Sequence, residues 1–189
     1  MPLGLLSSMQ FGLWLLISIG LAGISYRSLK NWKCHGFYRF FAFVGTAFVL
    51  VSNVAYWHYE IFSVLQIFSW LILIVSLGFL INSLYQLKSH GGNRTKEINT
   101  ENFAFENTGT LVESGIFAYI RHPMYSSLLL FTWGVWLKYP SMMALGASLA
   151  TTLALLLTAK AEEKENVDFF GSAYVDYEKR TKRFIPYFF

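Results

Sequence analysis

Five stretches of this 189-residue chain contain no Asp, Glu, Lys or Arg: residues 3–26, 40–57, 61–86, 124–137 and 141–159. Runs of about 18 or more apolar residues read as membrane-crossing helices, and about 20 residues span the hydrocarbon. Charged residues make up 14% of the chain, against roughly 25% in soluble domains. The sequence therefore predicts an all-α integral membrane protein in which residues 1–189 form one domain. Five transmembrane helices are expected over about 3–26, 40–57, 61–86, 120–137 and 141–159. The last two form a hairpin, and an amphipathic helix follows. The first stretch lacks a basic flank and a clear small-x-small cleavage site, so it is expected to stay as a span rather than leave as a signal peptide.

The basic residues set the orientation. Fourteen of the fifteen Lys and Arg follow the first, third and fifth stretches, and Lys138 alone falls on the other side. The positive-inside rule then places the N-terminus outside and the C-terminus in the cytoplasm. The same bias accounts for the formal net charge of +4 through contact with an anionic leaflet, with no nucleic-acid partner. Asn93-Arg94-Thr95 matches a glycosylation sequon but lies on the predicted cytoplasmic side, and is discounted.

Several chemistries lack their residues. One cysteine, Cys34, allows neither an internal disulfide nor a multi-Cys metal site. His35, His58, His90 and His122 have no metal-ligand spacing, so no metal is expected. Gly91-Gly92 lacks the Lys-Ser/Thr ending of a phosphate loop. Asn53 and Asn82 are read as bonds between helices.

Two charged clusters remain. Arg121-His122-Pro123-Met124-Tyr125 opens the fourth stretch and Glu162-Glu163 follows the fifth. The fourth stretch has fourteen residues, about 21 Å of helix against about 30 Å of hydrocarbon. Either its helix begins before Pro123 or the polar corner is drawn inward. Pro123 suits a first helical position, whose amide is unsatisfied in any case. A hairpin between the last two spans brings the clusters together. Spacing alone leaves two readings: a juxtamembrane salt bridge, or a pocket with a cationic and an anionic wall that suits a zwitterionic amino acid moiety. Farther on, Glu163, Val167, Phe170, Tyr174 and Tyr177 recur at helical spacing, interrupted by Gly171. Residues 88–119 form a long polar loop, and the apolar tail 184–189 is expected to tuck back on the membrane or the hairpin.

The run from Leu111 to Tyr125, with Leu111-Val112, Gly115, Phe117, Arg121-His122-Pro123 and Tyr125 in register, resembles the first signature of the isoprenylcysteine carboxyl methyltransferase and phospholipid methyltransferase superfamily. Glu162-Glu163, Phe170-Gly171, Tyr174, Tyr177 and Arg183-Phe184-Ile185-Pro186 resemble its second. The resemblance covers about the last eighty residues. Ser127 stands where the family often has Gly.

This resemblance implies an S-adenosylmethionine-dependent methyltransferase that releases S-adenosylhomocysteine. Its cofactor region would cover 88–189 and open to the cytoplasm, and a lipophilic acceptor would enter from the bilayer. Leu111, Val112, Gly115, Ile116, Tyr119, His122, Pro123, Tyr125, Glu162 and Glu163 would hold the cofactor. Arg121, His122, Glu163 and Arg183 would be the catalytic set. The implied partner is a membrane lipid or lipidated substrate. Carboxyl O-methylation is the first reading. N-methylation of a phospholipid or other lipophilic amine is the alternative, as is a non-catalytic scaffold. A small transporter is disfavoured because the spans offer no ion pathway. A carboxylate acceptor needs no base, whereas an ammonium must first lose a proton; Glu162, Glu163 and His122 are the available bases.

Overall fold

The computed structural model describes residues 6–92 and 108–186. Among them are seven α-helices: α1 Ser8–Ile24, the short α2 Tyr26–Leu29, α3 His35–Asn53, α4 Val64–His90, α5 Pro123–Trp136, α6 Met142–Phe170 and α7 Ser172–Arg180. Short 3-10 turns lie at Val54–Tyr56 and Gly115–Ala118. There is no multi-residue strand among the described residues; Ile120 and Lys182 form an isolated parallel bridge.

Local chemistry sets the helix starts. Ser7 and Gln10 form a capping box at α1, and the hydroxyls of Ser63 and Ser141 accept the amides of Gln66 and Ala144 at the starts of α4 and α6. Each cap satisfies an amide that has no partner within its helix. Gly171, at φ 62°, ends α6 and turns the chain into α7. The periodic face from Glu163 to Tyr177 is therefore divided between two helices.

Three helical stretches are long and apolar enough to cross a membrane: His35–Tyr56, Val64–His90 and Met142–Phe170. Shorter apolar helices, α1 with 17 residues and α5 with 14, accompany them. The helix of the fourth stretch, α5, starts at Pro123 rather than at about residue 120, because the proline ring suits the first helical position, so Ile120, Arg121 and His122 precede it. The sequon and residues 93–107 of the polar loop lie outside the described residues.

Side chains are distributed as a lipid environment demands. On α4, Phe68, Leu71, Ile74 and Val75 are exposed, while Gln66, Ser69, Ser76 and Ser83 are buried. Lipid tails give no hydrophobic drive between helices, so close approach and polar contacts do the joining. Ser69 Oγ donates to the Gly134 carbonyl at 2.7 Å, and Ser76 Oγ to the Ser127 carbonyl at 2.8 Å, which ties α4 to α5. Thr46 and Thr132 meet at 2.9 Å between α3 and α5. Asn53 donates to the Val135 carbonyl at 2.8 Å, whereas Asn82 is exposed. A Cβ on Gly45 would meet Thr151 Oγ1 at 2.2 Å, so glycine lets α3 approach α6. The principal pairings are α3 with α6 and α4 with α5. Phe184 inserts from the C-terminal segment beside Tyr125, Ala154, Leu155 and Ala159. The rest of the tail, residues 187–189, lies outside the described residues.

Candidate active site

A cleft opens at the end of the bundle where α4 and α6 finish and α5 starts. Its walls are Leu87 of α4, the loop residues Thr108, Leu111, Val112 and Phe117, the corner Arg121 to Tyr125, then Glu162, Asn166 and Phe170 of α6 and Tyr174 and Tyr177 of α7. Its empty space amounts to about 700 Å³ and is open to solvent.

The corner is held by backbone pairing. Lys182 N–H donates to the Tyr119 carbonyl at 3.0 Å, Arg121 N–H to Lys182 at 2.8 Å and His122 N–H to Arg183 at 3.1 Å. The segment after α7 is thereby zipped alongside the entry to α5. Ser126 Oγ, in the first turn of α5, donates to the Phe184 carbonyl at 2.8 Å, and Tyr177 Oη donates to the Phe117 carbonyl at 2.7 Å.

Glu163 is the electrostatic hub behind the cleft. Its Oε1 accepts from Arg121 Nε at 2.9 Å and Arg183 Nε at 3.0 Å, and lies 3.3 Å from His122 Nε2. Its Oε2 accepts from Arg183 Nη2. Arg121 also spends Nη1 on the carbonyls of Thr181 at 2.6 Å and Glu178 at 3.1 Å. Both carboxylate oxygens of Glu163 are thus committed to the protein, and Glu163 and Arg183 do not line the cleft.

Glu162 behaves differently. Its Oε2 lies 3.4 Å from His122 Nδ1, an ion-pair distance. It is buried, and among the described residues it has no hydrogen-bond partner. The contact with His122 is long, so this oxygen keeps room for a well-aligned donor from a ligand. Beside it the His122 and Tyr125 rings stack at 5.3 Å.

His122 stands between the two carboxylates and is 4% exposed. Burial works against its charged form, but close contact with Glu162 and Glu163 outweighs this and raises its pKa above the ordinary histidine value. Burial likewise raises the pKa of the Tyr174 and Tyr177 hydroxyls, so both stay protonated.

Of the residues predicted to hold a cofactor, Leu111, Val112, His122, Pro123, Tyr125 and Glu162 line the cleft, and so does Arg121. Gly115, Ile116 and Tyr119 are not among its lining residues. Gly115 sits at φ +60°, where a Cβ would meet Gln86 Nε2 at 2.3 Å. It lets the loop rest on the end of α4, where Ser114 Oγ donates to Gln86 Oε1 at 2.8 Å. Asn166 was not singled out in the sequence, although its place one turn after Glu162 was a usable signal. Leu87 and Met124 gave none, being two of many apolar residues.

The model of the phospholipid methyltransferase family matches residues 64–173, more than half of the chain. The chain belongs to the phospholipid methyltransferase family. The family match opens on the first residue of α4 and takes in α5 and α6, so three sides of the cleft lie inside it and α1 to α3 lie outside. The chain is also similar to the protein-S-isoprenylcysteine O-methyltransferase of Homo sapiens, with 33% identity over 82 residues. That stretch is 42% of this chain and 28% of the relative, so the match spans little more than a quarter of the relative's length. No solved structure matches the chain.

Proposed function

We propose that the chain is an S-adenosylmethionine-dependent methyltransferase that methylates a carboxylate on a lipophilic acceptor drawn from the membrane. One observation carries the choice of acceptor: His122 is enclosed by Glu162 and Glu163 and its pKa is raised. A histidine held protonated is a poor base, and Glu163 is fully engaged. A carboxylate acceptor needs no base at all.

The donor would lie in the cleft. Leu111, Val112 and Tyr125 would pack its apolar parts, and Glu162 Oε2, held by His122 only at 3.4 Å, suits its amino or hydroxyl groups. Pro123 opens the helix whose first amides face the corner. Arg121, His122, Glu163 and Arg183 would act together by holding that corner rigid. S-adenosylmethionine, when bound, supplies a methyl on a sulfonium: the carbon–sulfur bond breaks as the carbon–oxygen bond forms, and sulfur keeps the electron pair. The residues' contribution is orientation and exclusion of water. Apolar walls at Leu87, Met124 and Phe170 beside the polar corner suit an amphiphilic acceptor.

The membrane reading extends to five spans, with α1 and α5 crossing beside the three longer helices. The N-terminus would lie outside and the cleft in the cytoplasm; the distribution of Lys and Arg supports this orientation. The family's own description favours a second reading, N-methylation of a phospholipid amine, which must lose its proton before it can accept a methyl.

Radiolabelled methyl transfer from S-adenosylmethionine into a mixture of total lipid and prenyl-peptides, followed by mass spectrometry, tests both. Alkali-labile label in a prenyl-peptide is the expected result. Alkali-stable label in a lipid amine would replace the first reading with the second. Lack of any label, together with no binding of S-adenosylhomocysteine, would leave a non-catalytic scaffold.

A further inference from the structure

A second buried ionic cluster lies on the far side of α6 from Glu163. His35, the first residue of α3, donates its backbone N–H to Glu165 Oε1 at 2.8 Å, and its ring Nδ1 lies 2.8 Å from Glu165 Oε2. Arg39 Nη1, one turn further on, lies 3.4 Å from His35 Nε2. His35 is 1% exposed and Arg39 2%. The pattern assigns the ring proton to Nδ1, with Nε2 facing the arginine.

Cys34, His35 and Glu165 hold donor atoms within 4.8 Å of one another, close enough to share a metal ion. The contacts argue for a clamp instead. Both Glu165 oxygens are taken by His35, and the other ring nitrogen faces a guanidinium. A metal on Nδ1 needs a proton on Nε2, which would then point at the cation.

The position of the clamp on α6 gives it meaning. An α-helix turns about 100° per residue. Taking Glu162 as origin, Asn166 lies at about 40°, Glu163 at about 100° and Glu165 at about −60°. The two cleft-lining polar residues thus fall between two residues gripped by other elements. Arg121, His122 and Arg183 hold Glu163 on one side; His35, backed by Arg39, holds Glu165 on the other.

We infer that His35 and Arg39, acting through Glu165, are positioning residues for the cleft: they fix the rotation of α6 so that Glu162 and Asn166 face the ligand. They belong to α3, outside the family-matched residues 64–173, so the N-terminal part of the chain completes a site that the matched part carries. The inference rests on the donor-binding reading above.

Two measurements on the full chain in detergent separate the clamp from that reading. Hydrogen–deuterium exchange over residues 160–170 without ligand reports the clamp itself. Calorimetric titration with S-adenosylhomocysteine reports its consequence. His35→Leu removes the ring donor, and His35→Asn keeps a donor near the Nδ1 position. Glu165→Gln, on a side chain 29% exposed, guards against a variant that fails to fold. His35→Leu and Glu165→Gln should raise exchange in that stretch and weaken binding about tenfold, the scale of one lost charge-assisted hydrogen bond. His35→Asn should restore both to within about threefold of the parent. Unchanged exchange, unchanged affinity, or an equal loss in His35→Leu and His35→Asn would overturn the inference. A parent protein that binds no S-adenosylhomocysteine would overturn the donor-binding reading, while the exchange result would still decide the clamp.

Discussion

Arg183 grips Glu163 with two prongs, Nε on Oε1 at 3.0 Å and Nη2 on Oε2. The pair joins the segment after α7 to α6 across 20 residues of sequence. Forked arginine–carboxylate contacts combine charge with fixed geometry. Here the fork holds the C-terminal segment against the corner that opens α5, so one interaction ties together α6 and the corner, two walls of the cleft.

Removing the hub takes their carboxylate from Arg121 and Arg183 and leaves His122 with Glu162 alone. Glu163→Ala strips the carboxylate from Arg121 and His122, whose side chains are 10% and 3% exposed. Breaking a buried pair from one side costs about 3–5 kcal/mol. The expected result is a large fall in melting temperature and loss of ligand binding together. A Glu163→Ala protein as stable as the parent would show that Glu163 is not the hub.

Glu162 should separate binding from folding. Glu162→Gln keeps the shape and removes the charge of the carboxylate whose Oε2 has no hydrogen-bond partner among the described residues. Affinity for S-adenosylhomocysteine is expected to fall about tenfold or more, with a smaller fall in melting temperature than in Glu163→Ala, because His122 keeps Glu163. Calorimetric titration and a thermal melt on the same preparation check this.

His122 gives a pH signature. Its pKa is raised in the folded protein. Its stabilising contribution is therefore complete below its unfolded value of about 6.5 and is lost as pH rises through the folded value. The gap in melting temperature between the parent and His122→Gln should narrow as pH rises above about 6.5. A gap that widens with pH would contradict the assignment of a protonated ring.

Gly115→Ala tests the loop's seat on α4. The residue stands at φ +60°, and a Cβ would fall 2.3 Å from Gln86 Nε2 and 2.6 Å from its Cδ. Strain in that backbone region costs about 1–3 kcal/mol. Lower stability is expected, with weaker ligand binding because Leu111 and Val112 ride on the same loop. Gln86→Ala combined with Gly115→Ala should recover the part due to the clash, but not the part due to backbone strain.

Much of the frame was legible in the chain. The charge-free stretches announced helices in lipid because a charge in hydrocarbon is too costly to hide. Pro123 was visible as suited to a first helical turn, although the span was expected from about residue 120. Arg121-His122 and Glu162-Glu163 announced a polar corner because nothing else in an apolar chain accounts for four such residues. Gly171 was visible as an interruption, but not as the turn that divides α6 from α7.

Which carboxylate lines the cleft was decided only in three dimensions. Glu162 and Glu163 are adjacent in sequence and chemically identical, yet about 100° of helical rotation sends one to the arginines and leaves the other at the cleft. The clamp of His35 on Glu165 spans 130 residues, and no local pattern reports a contact of that range. The sequence by itself determined the medium, the helices and the presence of a charged corner, since these follow from the transfer of side chains between water and lipid. The tertiary structure alone decided which carboxylate the arginines take and which lines the cleft, because that depends on helix rotation set by packing between distant parts of the chain.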